Sequence, residues 1–486
     1  MNGAVLNLSE KKGIREMIVS AGRGSGDGLL REILTDCVPE RITFICDDKA
    51  RAERIRREAE GFIPGGVEVS FAGSAAWSAD GAEKSGAILI DCPDDLEQVK
   101  SLVQLSPKYL SVRTVRGGVE AFDIWECFRK NAEHIYVSTE PDPKEGGRTE
   151  ALDWERGGGD IELSVIFPMY NVSAYLRQCI ESVTAWKADY VEFLFVDDGS
   201  PDDCADIVNE CAANDSRIKL LRKQNGGCAS ARQFGMEAAR GRYLGFVDPD
   251  DYVDTQMFRK LLGRAMTGSY EICWCGYNEL YESTGEIAGV DDVLGEPYLS
   301  GTSDPHEINR LIAIRRIAIW RGIYLRSFLD REGIGFHTDL RRFDDLPFKV
   351  ETMARARSVV CIPERLYYYR MSRPGQDVAA DDERLYVHFD IFRYLDDFIV
   401  PGGSREQLGY LEVVKLHTHK WALEKMKDEF VKPYCERARR DLLANMTRRE
   451  GRYYIHSLTT PRDRRFFDAI CRGWVWMVRF LINRHK

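Results

Sequence analysis

The sequence predicts an α/β protein that ends in a helical region, and three observations carry that prediction. Short apolar runs alternate with helix-like stretches twice along the chain, a stretch rich in Pro, Gly and charge separates the two alternations, and helical periodicity replaces them after roughly Asp381. The first alternation runs from about Gly13 to Thr139. EMIVSA, RITFIC, GAILID, YLSVRT and HIYVST read as strands there, and KARAERIRREAEG reads as a helix between two of them. Stacked βα units of this kind build a largely parallel sheet. Glu140 to Gly159 (EPDPKEGGRTEALDWERGGG) lacks apolar periodicity and reads as a linker. The second alternation begins at Leu163 and reaches about Cys275, with LSVIFP, EFLFVDD, IKLLR, GRYLGFVD and EICWCG as strands. From Asp381 onward, RLYVHFDIFRYLDDFI and REQLGYLEVVKLHTHKWALEKM read as helices, punctuated at Pro401 to Gly403.

Composition narrows the function classes. A chain of 486 residues is long enough for two or three domains, and its 44% apolar and 30% charged fractions exclude disorder and a fibrous architecture. The formal net charge of −10 excludes a chain whose main task is wrapping nucleic acid, so a phosphate ligand must be met by local groups or by a metal ion. The 13 cysteines are scattered and form no CxxC pair, which predicts a reducing compartment and no structural zinc. The N-terminal MNGAVLNLSEKKGIREM lacks the apolar core of a signal peptide, and no window reaches ~20 uncharged apolar residues. The expectation is a cytoplasmic protein.

Four motifs follow one another in the second alternation, each at a strand-to-loop transition. VIFPMYN (Val165 to Asn171) is an apolar strand that breaks at Pro168 and leads into a helix, and strand ends of α/β sheets are where ligands meet free backbone groups and helix N-termini. FLFVDDGS ends in Asp197 and Asp198, placed to accept hydrogen bonds from a ribose or a base. QNGGCASARQFG puts Asn225, Gly226 and Gly227 in a loop before a small-residue helix carrying Arg232. YLGFVDPDD ends in Asp248, Asp250 and Asp251, and two carboxylates one residue apart can hold Mg²⁺ or Mn²⁺ with sites open for a diphosphate. Each motif alone is more often a solvated turn; the order and spacing of all four argue for a site.

This constellation resembles glycosyltransferase family 2, the inverting family with the GT-A fold, over roughly Ile161 to Arg373. The resemblance implies that Pro168, Tyr170, Asn171, Asp197 and Asp198 hold the nucleotide base and ribose, with Asn225, Gly227, Arg232 and Asp248 completing the nucleotide-sugar pocket. It implies a metal site at Asp248 and Asp250, with His337 touching the diphosphate or the metal. Gln233 stands where the family usually has Asn. In RRFDDLPFKVETMARA the pair Asp344 and Asp345 occupies the place of the family's acidic pair, with Asp345 on the position of the general base. A carboxylate of ordinary pKa near ~4 is ionised at neutral pH and can accept the acceptor's proton. The alternative role for these acids is helix N-capping. Trp320, in IWRGIYLRSFLDREGIGF, is expected either to face an acceptor sugar or to lie in the core, and Arg370 and Arg373, in ERLYYYRMSRPG, to approach the diphosphate or to sit on the surface.

Two features lie outside the resemblance. VSAGRGSGDG resembles the glycine-rich loop of Rossmann-like methyltransferases, with Asp47 as a partner acid, but Ser20 replaces the acid expected before the glycines. Near the other end, Arg465, Arg472, Arg479 and Lys486 recur every seven residues and predict one basic stripe along a helix whose other faces are apolar. Such a helix can lie on an anionic membrane through residues 464–486 or pack on the core.

The resulting architecture is a Rossmann-like α/β domain over residues 1–145, a linker over 146–160, a GT-A nucleotide-diphospho-sugar transferase domain over 161–380 and a helical C-terminal region over 381–486. The expected activity is metal-dependent, inverting transfer from a nucleotide-sugar, a uridine diphosphate sugar by family resemblance, to a glycan or lipid-linked acceptor in assembly of a bacterial surface polysaccharide or glycolipid. The expected place is the cytoplasm or the inner face of the cell membrane, and an oligomer is compatible with the sequence. The competing readings are a noncatalytic carbohydrate-binding scaffold that kept the fold, and a bifunctional transferase whose N-terminal domain transfers methyl groups.

Overall fold

The computed structural model describes residues 16–21, 41–45, 68–72, 87–91 and 109–115, then 120–140 except 131 and 133, 150–155, and 161–482 except 291–294, 315, 341, 372–379, 443 and 445–447. The glycine-rich loop at 22–28, Asp47, Arg373 and Lys486 lie outside these residues. The chain divides into two compact units, Met1–Gly159 with Gly263–Ser269, and Asp160–Leu262 with Tyr270–Lys486.

The first unit is built on seven strands: β1 (Glu16–Ala21), β2 (Arg41–Ile45), β3 (Glu68–Ala72), β4 (Ala87–Asp91), β5 (Tyr109–Val115), β6 (His134–Glu140) and β7 (Glu150–Glu155), with α1 (Ala121–Phe128) between β5 and β6. Their order in the sheet is β3-β2-β1-β4-β5-β6-β7. All pairs are parallel except β6 with β7. β3 and β7 are absent from the sequence reading. β7 corrects it, because six residues of the expected linker form an edge strand: Leu152 and Trp154 are buried while Asp153 and Glu155 face outward, the period-two pattern of a half-buried strand.

In the second unit, β8 (Leu163–Met169), β9 (Val191–Asp197), β10 (Ile218–Arg222) and β11 (Tyr243–Phe246) are joined by the helices α2 (Ser173–Thr184), α3 (Cys204–Ala212) and α4 (Cys228–Ala238). Every residue of β8 and β9 is buried, as expected of parallel strands covered on both faces. The chain then adds β12 (Tyr252–Val253), α5 (Met257–Thr267), β13 (Ile272–Tyr281), β14 (Glu286–Val290), α6 (Pro305–Arg310), β15 (Gly322–Leu325), α7 (Arg326–Glu332), α8 (Asp345–Arg355) and β16 (Val359–Met371). The sheet runs β10-β9-β8-β11-β15-β13-β16-β12, with β14 paired to β13. The chain leaves β8 toward β9 and β10, then returns to the other side of β8 as β11. That reversal opens a crevice at the carboxyl ends of β8 and β11, where open α/β sheets bind their ligands.

The remaining elements are helical: α9 (Val387–Ile399), α10 (Arg405–Lys425), α11 (Asp428–Asp441), α12 (Arg448–Leu458), α13 (Pro461–Arg472) and α14 (Val475–Ile482). A core that includes Leu416, Leu423, Tyr434, Phe466, Phe467 and Ile470 holds them together. The single basic stripe predicted here is not formed. Gly473, at φ +71°, ends α13 in a left-handed cap, and α14 starts a new helix two residues later. Arg479 is turned back, its guanidinium donating to the Asp428 carbonyl at 3.1 Å. Among the described residues no helix is long and apolar enough to cross a membrane.

Candidate functional site

The crevice is assembled from four loop starts and one helix start. Strand β8 does not break at Pro168: Pro168 and Met169 pair in register with Val196 and Asp197 of β9, and Pro168 is buried. The chain turns immediately afterward, leaving Tyr170 52% exposed and Asn171 at φ 56°. Asn tolerates that left-handed conformation better than most residues. Tyr170 therefore presents a half-exposed ring just beyond the carboxyl end of β8, whereas Pro168 is buried within the strand.

Asp197 and Asp198 divide their work. The Asp197 carboxylate accepts from the Ser200 amide at 2.8 Å and shapes the Gly-Ser turn. Asp198, 2% exposed, accepts from the amides of Gly226 and Gly227 at 3.0 and 2.8 Å and from Lys223 Nζ at 2.7 Å. It thus clamps the loop that carries Asn225 and leads into α4. Gly227 is at φ 90°, a conformation costly for a side-chain-bearing residue, and serves as the N-cap of α4. Lys223 went unnoticed in the sequence, although its place just before Gln-Asn-Gly-Gly was a usable signal.

One turn into α4, Arg232 ties the site together. Its guanidinium is buried and pairs with Asp248 at 2.6 Å and with Asp344 at 2.8 Å. Asp248 lies two residues beyond the end of β11, and Asp344 immediately precedes α8, so one cation holds acids 96 residues apart in sequence, 248 against 344. Coulombic attraction to Asp344 and Asp248 keeps Arg232 charged despite its burial. Gln233, the departure from the family pattern, accepts from the Phe336 amide at 3.0 Å and fixes the loop after α7.

The third acid of the D-P-D-D turn, Asp251, is fully buried and accepts from the Tyr367 hydroxyl and the Arg370 amide, each at 2.8 Å. Burial and the neighbouring Asp250 and Asp248 push its carboxyl well above the usual range. The Tyr367 hydroxyl also accepts from the Asp248 amide at 3.2 Å, so the tyrosine-rich β16 buttresses the turn. Asp250 is 6% exposed, and a quarter of the Asp248 side chain (25%) remains accessible. Two hard carboxylates, one of them open, suit Mg²⁺ or Mn²⁺ bound jointly with a diphosphate. Among the described residues no three His, Cys, Asp or Glu side chains gather as a metal cage.

Asp345 opens α8 in its first turn, and Asp344 occupies the N-cap position without a side-chain capping bond. Asp344 is committed to Arg232 instead, so the capping role is not taken up. Burial, with the Asp344 charge second, pushes Asp345 up to about 7, against a partial offset from Arg232. This revises the expectation of an ordinary carboxylate pKa: the group is poised near neutrality, where a general base is most effective.

Three expected contacts take other forms. His337 is not gathered with Asp248 and Asp250; with Phe336 pinned by Gln233, its Nε2 lies 2.7 Å from Glu351 on α8, and its ring stacks on Tyr394 at 4.0 Å. Arg370 is buried, not on the surface. It bonds to Glu282 and Gln178 and lies between the rings of Tyr175 and Tyr252, at 5.1 and 5.4 Å. Trp320 is 5% exposed, stacked on Tyr367 at 4.0 Å with Tyr277 edge-on at 4.9 Å, so it packs the wall and leaves little surface for a sugar.

Comparison with known proteins agrees with this geometry. The family model for glycosyl transferase family 2 matches residues 164–320. The uncharacterized glycosyltransferase EpsJ of Bacillus subtilis is 34% identical over 214 residues, 43% of this chain and 60% of that protein. The minor teichoic acid biosynthesis protein GgaB of the same organism is 40% identical over 283 residues, 54% of this chain and 29% of that protein. The chain thus spans less than two thirds of the length of either relative. Among solved structures, TarS 1–349 of S. aureus in complex with UDP-GlcNAc superposes with a TM-score of 0.56 at 18% identity, covering 67% of this chain and 91% of that one, a likeness of fold. With its crevice, its motifs and its matched segment in agreement, the chain carries a family 2 glycosyltransferase domain of the GT-A fold.

Proposed function

We propose that this domain transfers a glycosyl group from a nucleoside-diphosphate sugar to an acceptor hydroxyl with inversion at the anomeric carbon. The observation that carries the proposal is the Asp248–Arg232–Asp344 bridge, which joins the acid turn suited to a donor diphosphate to the residue preceding Asp345. In this reading Tyr170 covers the base, Asn171, Asp197 and the Asn225–Gly227 loop surround the ribose, and Pro168 and Asp198 support them from beneath. Asp248 and Asp250 would hold Mg²⁺ or Mn²⁺, which would supply positive charge to the leaving diphosphate. Asp345 accepts the proton as the acceptor oxygen bonds to the anomeric carbon. The bond from that carbon to the diphosphate breaks on the opposite face, and its electron pair leaves with the phosphate oxygen.

The donor we infer is a uridine diphosphate sugar, the class carried by the TarS complex that shares the fold. The setting we infer is assembly of a surface polysaccharide or glycolipid, supported by the name of the GgaB relative. For the N-terminal unit we propose docking or oligomerisation rather than catalysis, because Ser20 stands where the acid before the glycines is expected. The test is turnover of a panel of UDP-, GDP- and dTDP-sugars with Mn²⁺ or EDTA, comparing the native chain with Asp250→Ala and Asp345→Asn. Metal-dependent turnover of one donor, lost in both variants, supports the reading; a folded protein that neither binds nor turns over any donor overturns it in favour of a scaffold.

A further inference from the structure

We propose that the turn joining α13 and α14 is a contact surface for an anionic lipid bilayer. The inference is independent of the transferase reading and rests on a different part of the fold. Gly473 closes α13, and the Trp474 amide donates back to the Ala469 carbonyl at 2.9 Å, so the chain reverses within a tight cap. In α14 the residues Val478, Leu481 and Ile482 are buried in the helical core. The other side carries Trp474, Trp476 and Phe480, which are 40%, 65% and 51% exposed. The two indoles lie 6.5 Å apart with their planes inclined by 27°. Three large apolar side chains within seven residues make a patch, and a water-facing surface gains nothing from such a patch.

The charges around it select the occupant. Arg472 lies 4.5 Å over the Trp474 ring, and Arg439, in the last turn of α11, comes within 3.2 Å of the position a side chain at Gly473 would take. Both arginines are exposed, in a chain whose formal net charge is −10. On these elements the acids nearest in sequence to the two arginines are Glu436 and Asp441 of α11 and Asp468 of α13, of which Asp441 is held by Lys415 and His419 and Asp468 by Arg452. Indole rings settle at the headgroup level of a bilayer because they are apolar with a single polar N–H, and arginines beside them attract lipid phosphates. A second copy of the chain fits less well, since a twofold contact centred on the turn would bring Arg439 and Arg472 of both copies into one interface.

The experiment is sedimentation of the full chain with vesicles of phosphatidylcholine alone and of phosphatidylcholine mixed with phosphatidylglycerol, alongside tryptophan emission. Binding to the mixed vesicles with a blue shift is expected, and little binding to the neutral ones. Trp474→Ala with Trp476→Ala should weaken partitioning on the order of tenfold. Arg439→Gln with Arg472→Gln should weaken it by about fivefold per arginine. Circular dichroism of both double variants should match the native chain, because the four side chains are exposed. Absence of binding to mixed vesicles, or binding that neither double variant alters, overturns the proposal. So does a native oligomer that the tryptophan variant dissociates while vesicles stay unbound, which would assign the patch to a second copy.

Discussion

Replacing Asp345 by Asn should abolish transfer and stabilise the fold, and the size of that gain should depend on pH in a defined direction. The carboxyl sits at about 7 in the folded chain against an ordinary 3.8, raised by burial and by Asp344. Below pH 3.8 both states are protonated and the raised value costs nothing. Between 3.8 and about 7 the unfolded chain releases the proton that the folded chain keeps, so stability falls as pH rises, by about 1.4 kcal/mol per unit. Across roughly three units the loss approaches about 4 kcal/mol, an upper figure because Asp345 is not fully shielded from water. Asn carries no such penalty. Urea denaturation of native and Asp345→Asn chains in EDTA at pH 4 and pH 8 should therefore show similar midpoints at the lower pH and a clear advantage for the variant at the higher. In the native enzyme kcat/KM should rise with pH through an inflection near 7, as the base loses its proton. An Asn variant that gains nothing at pH 8 would refute the raised carboxyl. One that still transfers sugar would refute its role as base.

Arg232→Ala leaves the buried Asp344 and the partly buried Asp248 without their shared cation. It should destabilise the fold by about 3–5 kcal/mol, read by denaturation, and shift the kcat/KM inflection upward because Arg232 holds the Asp345 value down. Asp198→Asn weakens the charge-assisted bonds from Gly226, Gly227 and Lys223. A loss of about 2 kcal/mol and a raised KM for donor with a smaller change in kcat are expected, read by melting and steady-state kinetics. Tyr170→Ala removes an exposed ring that supports nothing in the core, so stability should change by less than about 0.5 kcal/mol. If that ring stacks on the donor base, loss of about 1–3 kcal/mol of stacking raises the donor Kd roughly tenfold or more, measurable by calorimetry.

The parts of this architecture that were legible in the sequence are those encoded locally. LSVIFP, EFLFVDD and GRYLGFVD read as strands because continuous apolar runs mark strands covered on both faces, and the acids at their ends follow from strand direction. What escaped depends on long-range pairing. Nothing near Arg232 announces that it will bridge Asp248 and Asp344, and the burial that raises Asp345 exists only once α8 docks. Arg370 was expected to approach the diphosphate or to sit on the surface, and its burial was not legible because its partners Gln178 and Glu282 lie 192 and 88 residues away. Two misses had local signals. Leu152 and Trp154 alternate with acids as an edge strand should, and Gly473 stands where a helix cap demands φ above zero, which breaks a seven-residue charge spacing that looked continuous.

The clamp that Asp198 places on the Lys223–Gly227 loop has a kinetic corollary. A loop that a ligand must order charges that ordering against affinity, often as a slow step after encounter. Here a buried carboxylate of the chain itself fixes two amides and a lysine. Nucleotide capture should therefore follow a single concentration-dependent phase, without the saturating isomerisation that a disordered loop would impose, and little of the donor's binding energy is diverted from the reacting centre.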